Sequence, residues 1–116
     1  MQIVKRTEGE VLILEVHGDV DVHTMEDLQR VLNQISGSGS KQMVLDCGSL
    51  TYIGSPGLAL LVKFHDHFQK TGGNLALVAV PSKIRGILEV TRMAQRFVMF
   101  PHVEDALARF HTMSEE

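Results

Sequence analysis

The chain has little of the chemistry that would settle its role at sight. It contains one cysteine, Cys47, among 116 residues. A lone cysteine closes no intramolecular disulfide, and no Cys/His pair stands near it at metal-ligand spacing. Cys47 lies inside an apolar run, where a thiol is expected to behave as a small buried hydrophobe. No Lys/Arg cluster occurs, and 11 basic against 14 acidic residues give a formal net charge of −3. That balance argues against direct nucleic-acid binding, which calls for a basic face. Long hydrophobic runs are missing as well. "GLALLV" and "LALVAV" fall far short of the roughly 20 residues that a membrane-spanning helix needs. "MQIVKRTEGE" has no apolar signal segment. A cytoplasmic protein without membrane insertion is the expectation, and no internal repeat is present.

What remains is a composition with 44% hydrophobic and 22% charged residues, typical of one soluble globular domain. That domain is expected to span 1–116, with its last few residues flexible. "QIVKR" and "EVLILEVHG" read as two strands joined by "TEGE", an opening hairpin. Thr24-Met25-Glu26-Asp27 resembles a capping box with Asp27 in the place of Glu or Gln. Behind it Met25, Leu28, Val31, Leu32 and Ile35 form one apolar helical stripe. "SGSGS" ends that helix as a surface loop, and no Lys-Ser/Thr follows it to make a phosphate-binding loop. "KQMVLDC" is a short buried strand. The next helix carries Leu58, Leu61, Val62, His65 and Phe68 on one face and Ala59, Leu60 and Phe64 on a second, so it should be the central one. Gly72-Gly73 stops it. "NLALVAV" is apolar without alternation, as when both faces of a sheet are covered. Ser82 caps a third helix, "RFVMF" is a last strand, and Val103, Ala106, Leu107 and Phe110 line a final helix. The order ββαβαβαβα implies an α/β fold with about four helices. Its sheet is mostly parallel, with an antiparallel N-terminal edge strand.

The stretch "TYIGSPGLALLV" concentrates the available chemistry. Ser55 and Pro56 make a strong helix opening, serine as N-cap and proline at N1. Gly54 and Gly57 leave the hydroxyl bare, so another protein can approach it closely. A phosphate on Ser55 would add about −1.5 to −2 charges at a helix N-terminus, where anions are favoured. A nucleophile elbow would require glycine at position 53, which is Ile53. His17, His23, His65, His67, His102 and His111, with Asp46, form no recognisable hydrolase set. His65 and His67, two apart on a helix, point to different sides. His65 reads as a satisfied core or boundary residue, and His67 as solvated. Asp19, Asp21, Glu26 and Asp27 lack cation-loop spacing and read as capping and a solvated loop. No cofactor or metal is expected.

Three segments together resemble STAS domains. "VHGDVDVHTMEDL" is similar to their strand–loop–helix opening, and "VLDCGSLTYIGSPGLALL" to their signature around a serine. "KIRGILEVTRMAQRFVMFPHVEDAL" is similar to their C-terminal helix, short strand and acidic final helix. A stand-alone domain of this size is most similar to the bacterial anti-sigma factor antagonists. The resemblance implies a non-enzymatic regulator of transcription that binds an anti-sigma factor of the serine-kinase type and so releases a sigma factor; a chain of this size is expected to be a monomer when free. Phosphorylation by that kinase ends the interaction and a serine phosphatase restores it. By motif position the phosphoacceptor is Ser55, with Gly18, Asp19, Asp21, Thr24, Gly54, Pro56 and Gly57 in the docking face. Where the family usually has Asp before the serine and Ser or Ala after it, this chain has Gly54 and Pro56. Two other readings stand beside this one. The first is a non-switching STAS module in a transporter or scaffold complex, and the second is a small serine hydrolase using Ser55.

Overall fold

The structure, a computed structural model, describes residues 1–115, and side chains through residue 112. Ten elements follow one another: β1 (Gln2–Glu8), β2 (Val11–Val20), α1 (Met25–Gly37), β3 (Gln42–Asp46), β4 (Leu50–Ile53), α2 (Ser55–Lys70), β5 (Asn74–Val78), α3 (Ser82–Val90), β6 (Val98–Phe100) and α4 (Val103–Glu115). The sheet runs β1-β2-β3-β5-β6, with β4 paired to β2 off that path. β1 is antiparallel to β2, and the remaining pairings are parallel. The α/β class, the antiparallel edge and the four helices match the sequence expectation. The expected flexible end reaches Glu116, which lies outside the described residues.

The sheet is a shared wall between two apolar layers. Leu12, Leu14, Met43, Leu45, Leu75 and Leu77 pack with α1, α2 and α3 on one side. Val11, Ile13, Val44, Ala76 and Val78 pack with Ala106 and Phe110 of α4 on the other. This alternation explains why "NLALVAV" shows no polar position after Asn74, since both faces of β5 are covered. Phe64 and Phe68 make α2 the main filler of the larger layer, as its wide apolar surface predicts. Its C-terminus closes as a Schellman motif. The N–H of Gly73 donates to the Phe68 carbonyl at 2.6 Å, and that of Gly72 to the Gln69 carbonyl at 3.3 Å. Gly72 has φ +79°, which a side chain would strain.

Three local expectations are corrected. β4 is a strand that sequence reading missed, so the order is ββαββαβαβα. With only four residues and burial confined to Leu50 and Ile53, it offers no alternation to detect. Serine is not the N-cap of α2 or α3. Gly54 and Pro81 hold those positions, and Ser55 and Ser82 are each the first helical residue. The capping box at Thr24 does not form either. Thr24 is the N-cap, but its side chain makes no bond to the helix, and Asp27 pairs instead with Arg30 at 3.3 Å.

Leu14 is fully enclosed between β1, β3 and the helical layer. Leu14→Ala should lower stability by about 2–5 kcal/mol. Urea unfolding followed by circular dichroism should show a lower midpoint at unchanged slope.

Candidate functional site

β2 has two neighbours on the same side. Its first half, Val11–Glu15, pairs with β3, and Gly18–Val20 pairs with β4, with a register shift between Gly18 and Asp19 that leaves Thr51 of β4 unopposed. Gly18 takes φ +94° there, and its N–H donates to the Ser49 carbonyl at 2.9 Å. Such a bulge re-aims the strand end. As a result the β2–α1 loop and the β4–α2 turn emerge side by side at the carboxyl ends of parallel strands, the usual place for function in such sheets.

The β2–α1 loop is held by its own polar groups. Asp21 Oδ1 accepts the N–H groups of His23 (2.9 Å) and Thr24 (3.1 Å), an Asx-type turn. The Thr24 hydroxyl donates to the Asp19 carbonyl at 2.7 Å and accepts the Asp21 N–H at 3.0 Å. The Asp19 carboxylate accepts the Thr51 hydroxyl at 2.5 Å, which ties this loop across to β4. The backbone N–H of His23 chiefly, with the Thr24 groups, holds the Asp21 carboxyl below its ordinary value of 3.8 against the opposing effect of partial burial. Asp21 is therefore an anion at neutral pH, and the loop presents negative charge. Thr24 serves as the loop's clasp, a role that its capping chemistry suggested in type but not in place.

The α2 turn is built by close approach. The Gly54 N–H donates to the Val20 carbonyl at 2.9 Å, and the Leu58 N–H returns to the Gly54 carbonyl at 3.0 Å. Gly57 is buried. A Cβ there would lie 2.8 Å from both Val20 Cγ1 and Ile53 Cγ1, so this glycine lets α2 press onto β2 and β4 and supports the face from beneath. Ser55, at the first helical position, is exposed, while Gly54 and Pro56 are half-buried beside it. Sequence reasoning missed two exposed large hydrophobic side chains here, Tyr52 of β4 (42%) and Val22 of the β2–α1 loop (66%). Recognising β4 as a strand would have pointed to Tyr52, which pairs with Asp19.

The other candidate residues do not converge. His65 packs edge-on against Phe97, with ring centroids 5.2 Å apart. Its buried Nδ1 has no hydrogen-bond partner among the described residues, whereas a satisfied histidine was expected. His67 is half-buried and stands edge-on to Phe68 at 5.9 Å rather than solvated. His17 meets Glu15 at 3.2 Å. Cys47 is 2% exposed, and burial chiefly, with Asp46 adding to it, pushes its thiol up to about 12. Among the described residues no group of three or more His, Cys, Asp or Glu side chains is placed to hold a metal ion. No described helix is long and apolar enough to cross a membrane.

These features define an α/β module with a bare serine at the start of its central helix, beside an acidic, internally braced loop. The STAS domain model matches residues 2–106, and the chain belongs to that family. It is 28% identical over 102 residues to BtrV of Bordetella bronchiseptica, which carries the name of an anti-sigma factor antagonist, with 88% of each chain covered. Its fold matches a sulfate transporter family protein from Wolinella succinogenes with a TM-score of 0.80 at 24% identity, covering 97% of this chain and 93% of that one. It also matches the Bacillus cell fate determinant SpoIIAA in its phosphorylated form, with a TM-score of 0.73 at 14% identity, covering 94% and 99%.

Two outcomes check this geometry. Gly57→Ala should cost about 1–3 kcal/mol by overpacking against Val20 and Ile53, read as a lower thermal midpoint. Asp21→Asn should reveal the carboxylate's share of stability. A depressed pKa stabilises fully above the ordinary value of 3.8, and this contribution is lost as pH falls through the lowered one. The wild-type and Asp21→Asn unfolding free energies should therefore differ at neutral pH and converge below that value.

Proposed function

We propose that this chain is an anti-sigma factor antagonist whose face around Ser55 docks on a serine-kinase anti-sigma factor, and that phosphorylation of Ser55 ends the docking. The observation that carries this reading is that Ser55 is exposed at the first helical position, with Gly54 and not Ser55 as the N-cap. Its hydroxyl is thus available for modification without loss of a helix cap. A phosphate would add about −1.5 to −2 charges beside Asp19 and Asp21, and would deepen the negative character of the face. The names of BtrV and of the phosphorylated SpoIIAA structure support the same reading. On it the chain is a cytoplasmic bacterial phosphoprotein without catalysis of its own, Gly18, Asp19, Asp21, Thr24, Gly54 and Pro56 surround the acceptor, and a serine phosphatase resets it. The free chain is a monomer.

A second reading, a non-switching module of a transporter or scaffold complex, is favoured by Gly54 and Pro56 and by the likeness to the Wolinella succinogenes protein. The hydrolase reading has less behind it. Among the described residues no hydrogen bond joins Ser55 Oγ to a histidine, as nucleophile activation would require.

Incubation with a serine-kinase anti-sigma factor and ATP should add one phosphate, located at Ser55 by mass spectrometry and absent from Ser55→Ala. Ser55→Asp should weaken binding to that factor by about tenfold or more, equivalent to about 1.4 kcal/mol. Unchanged affinity of Ser55→Asp, with no phosphate on the wild type, would favour the non-switching module.

A further inference from the structure

The space that a side chain on Gly54 would take is already filled by a neighbour. A Cβ on Gly54 would lie 3.3 Å from the Tyr52 hydroxyl oxygen and 3.4 Å from its Cε2. The first is tighter than ordinary van der Waals contact and the second lies at its near limit, so the ring would have to give by a few tenths of an ångström to admit a side chain. The phenol of Tyr52 therefore lies over the backbone of the residue directly before Ser55, in the space that any side chain at 54 would enter. We propose that Tyr52 is the positioning residue of this site: its phenolic O–H donates to a phosphate carried by Ser55, and Gly54 is glycine so that the ring can stand there.

The backbone around Ser55 explains why such a donor is useful. The Gly54 N–H is committed to the Val20 carbonyl, and Pro56 has none. Ser55 and Gly57 are then the first-turn amides without an intrahelical acceptor. A phosphate needs several donors to be held in one orientation. The nearby loop cannot supply them from its carboxylates, because those of Asp19 and Asp21 only accept. Tyr52 differs from them in being neutral and able to donate. Its ring is part of the outer surface, so a partner docking on the face meets it together with Ser55. Modification of the serine then reorients a side chain that the partner touches. The proton stays on the phenol throughout, and no covalent bond is made or broken by Tyr52.

This inference rests on the reading of Ser55 as a modified residue, yet it can be tested without the kinase. Phosphoserine is incorporated at position 55 during synthesis, and the phosphorus resonance is titrated in the full chain and in its Tyr52→Phe variant. Loss of the donor should raise the second phosphate pKa, ordinarily near 6, by about 0.3 unit. The tyrosine signal gives an independent reading, because Tyr52 is the only tyrosine and the chain has no tryptophan. Its near-ultraviolet absorbance and fluorescence should change between the serine and phosphoserine forms as the phosphate takes its second charge. Gly54→Ala, which puts a methyl group against the ring, should move the phosphorus titration in the same direction as Tyr52→Phe. Superimposable phosphorus titrations of the Tyr52 and Phe forms would overturn the proposal. A kinase that fails to modify Ser55 would instead count against the proposed switch, leaving this result intact.

Discussion

The site depends on one strand serving two neighbours in succession. β2 pairs with β3 along Val11–Glu15 and then with β4 along Gly18–Val20, with a shift at Gly18/Asp19 inside the second pairing. Without the change of partner from β3 to β4, the β2–α1 loop would not be tied to the start of α2. With it, the Val20 carbonyl takes the Gly54 N–H and the Asp19 carboxylate takes the Thr51 hydroxyl. Two loops distant in sequence are thereby locked into one surface. Gly57 completes the lock because only a residue without a side chain lets α2 sit against both Val20 and Ile53.

The frame was legible in the sequence, and for a clear reason. Val11–Leu14 of β2, Met43–Leu45 of β3 and Leu75–Val78 of β5 are buried on both faces by different layers, so these stretches are apolar without gaps. α1 and α2 each bury a helical stripe, so their periods show. β4 was not legible, because a four-residue strand with two exposed central positions carries no period of its own. Its existence follows from pairing with β2, which is a tertiary fact. The misplaced caps have a related cause. Serine before a helix is favoured at N-cap by its side-chain bond, but a glycine in extended conformation, φ −90° and ψ 175°, can take the position when its backbone is wanted elsewhere. At Gly54 it is wanted by Val20 and by the ring of Tyr52.

The residues singled out around Ser55 divide by what they do. Gly18 and Gly57 shape the backbone, Thr24 and Asp21 fasten the loop, and Asp19 bridges it to β4. Exposed chemistry is left to few groups: the Ser55 hydroxyl, the Tyr52 ring, Val22 and the loop carboxylates that are already hydrogen-bonded. Because those carboxylates are held by backbone N–H and hydroxyl donors, the loop keeps its shape while keeping its charge. A mobile acidic loop would have to be ordered on each encounter, at an entropic cost that falls directly on affinity.

That division decides how the proposed switch can work. A phosphate at the first helical position interacts favourably with the helix dipole, by about 0.3–1 kcal/mol at an exposed site. Ser55 also contributes no cap that its modification could destroy. Both effects leave α2 intact or slightly stabilised, so the modification has no means of acting by unfolding the domain. Its remaining effect is on what the surface offers: extra negative charge on an already acidic face and a bulky group at the exposed Ser55. Like charge and lost shape complementarity act on a docked partner and on nothing else in the structure. A switch at Ser55 is therefore one of recognition, with the folded frame common to both states.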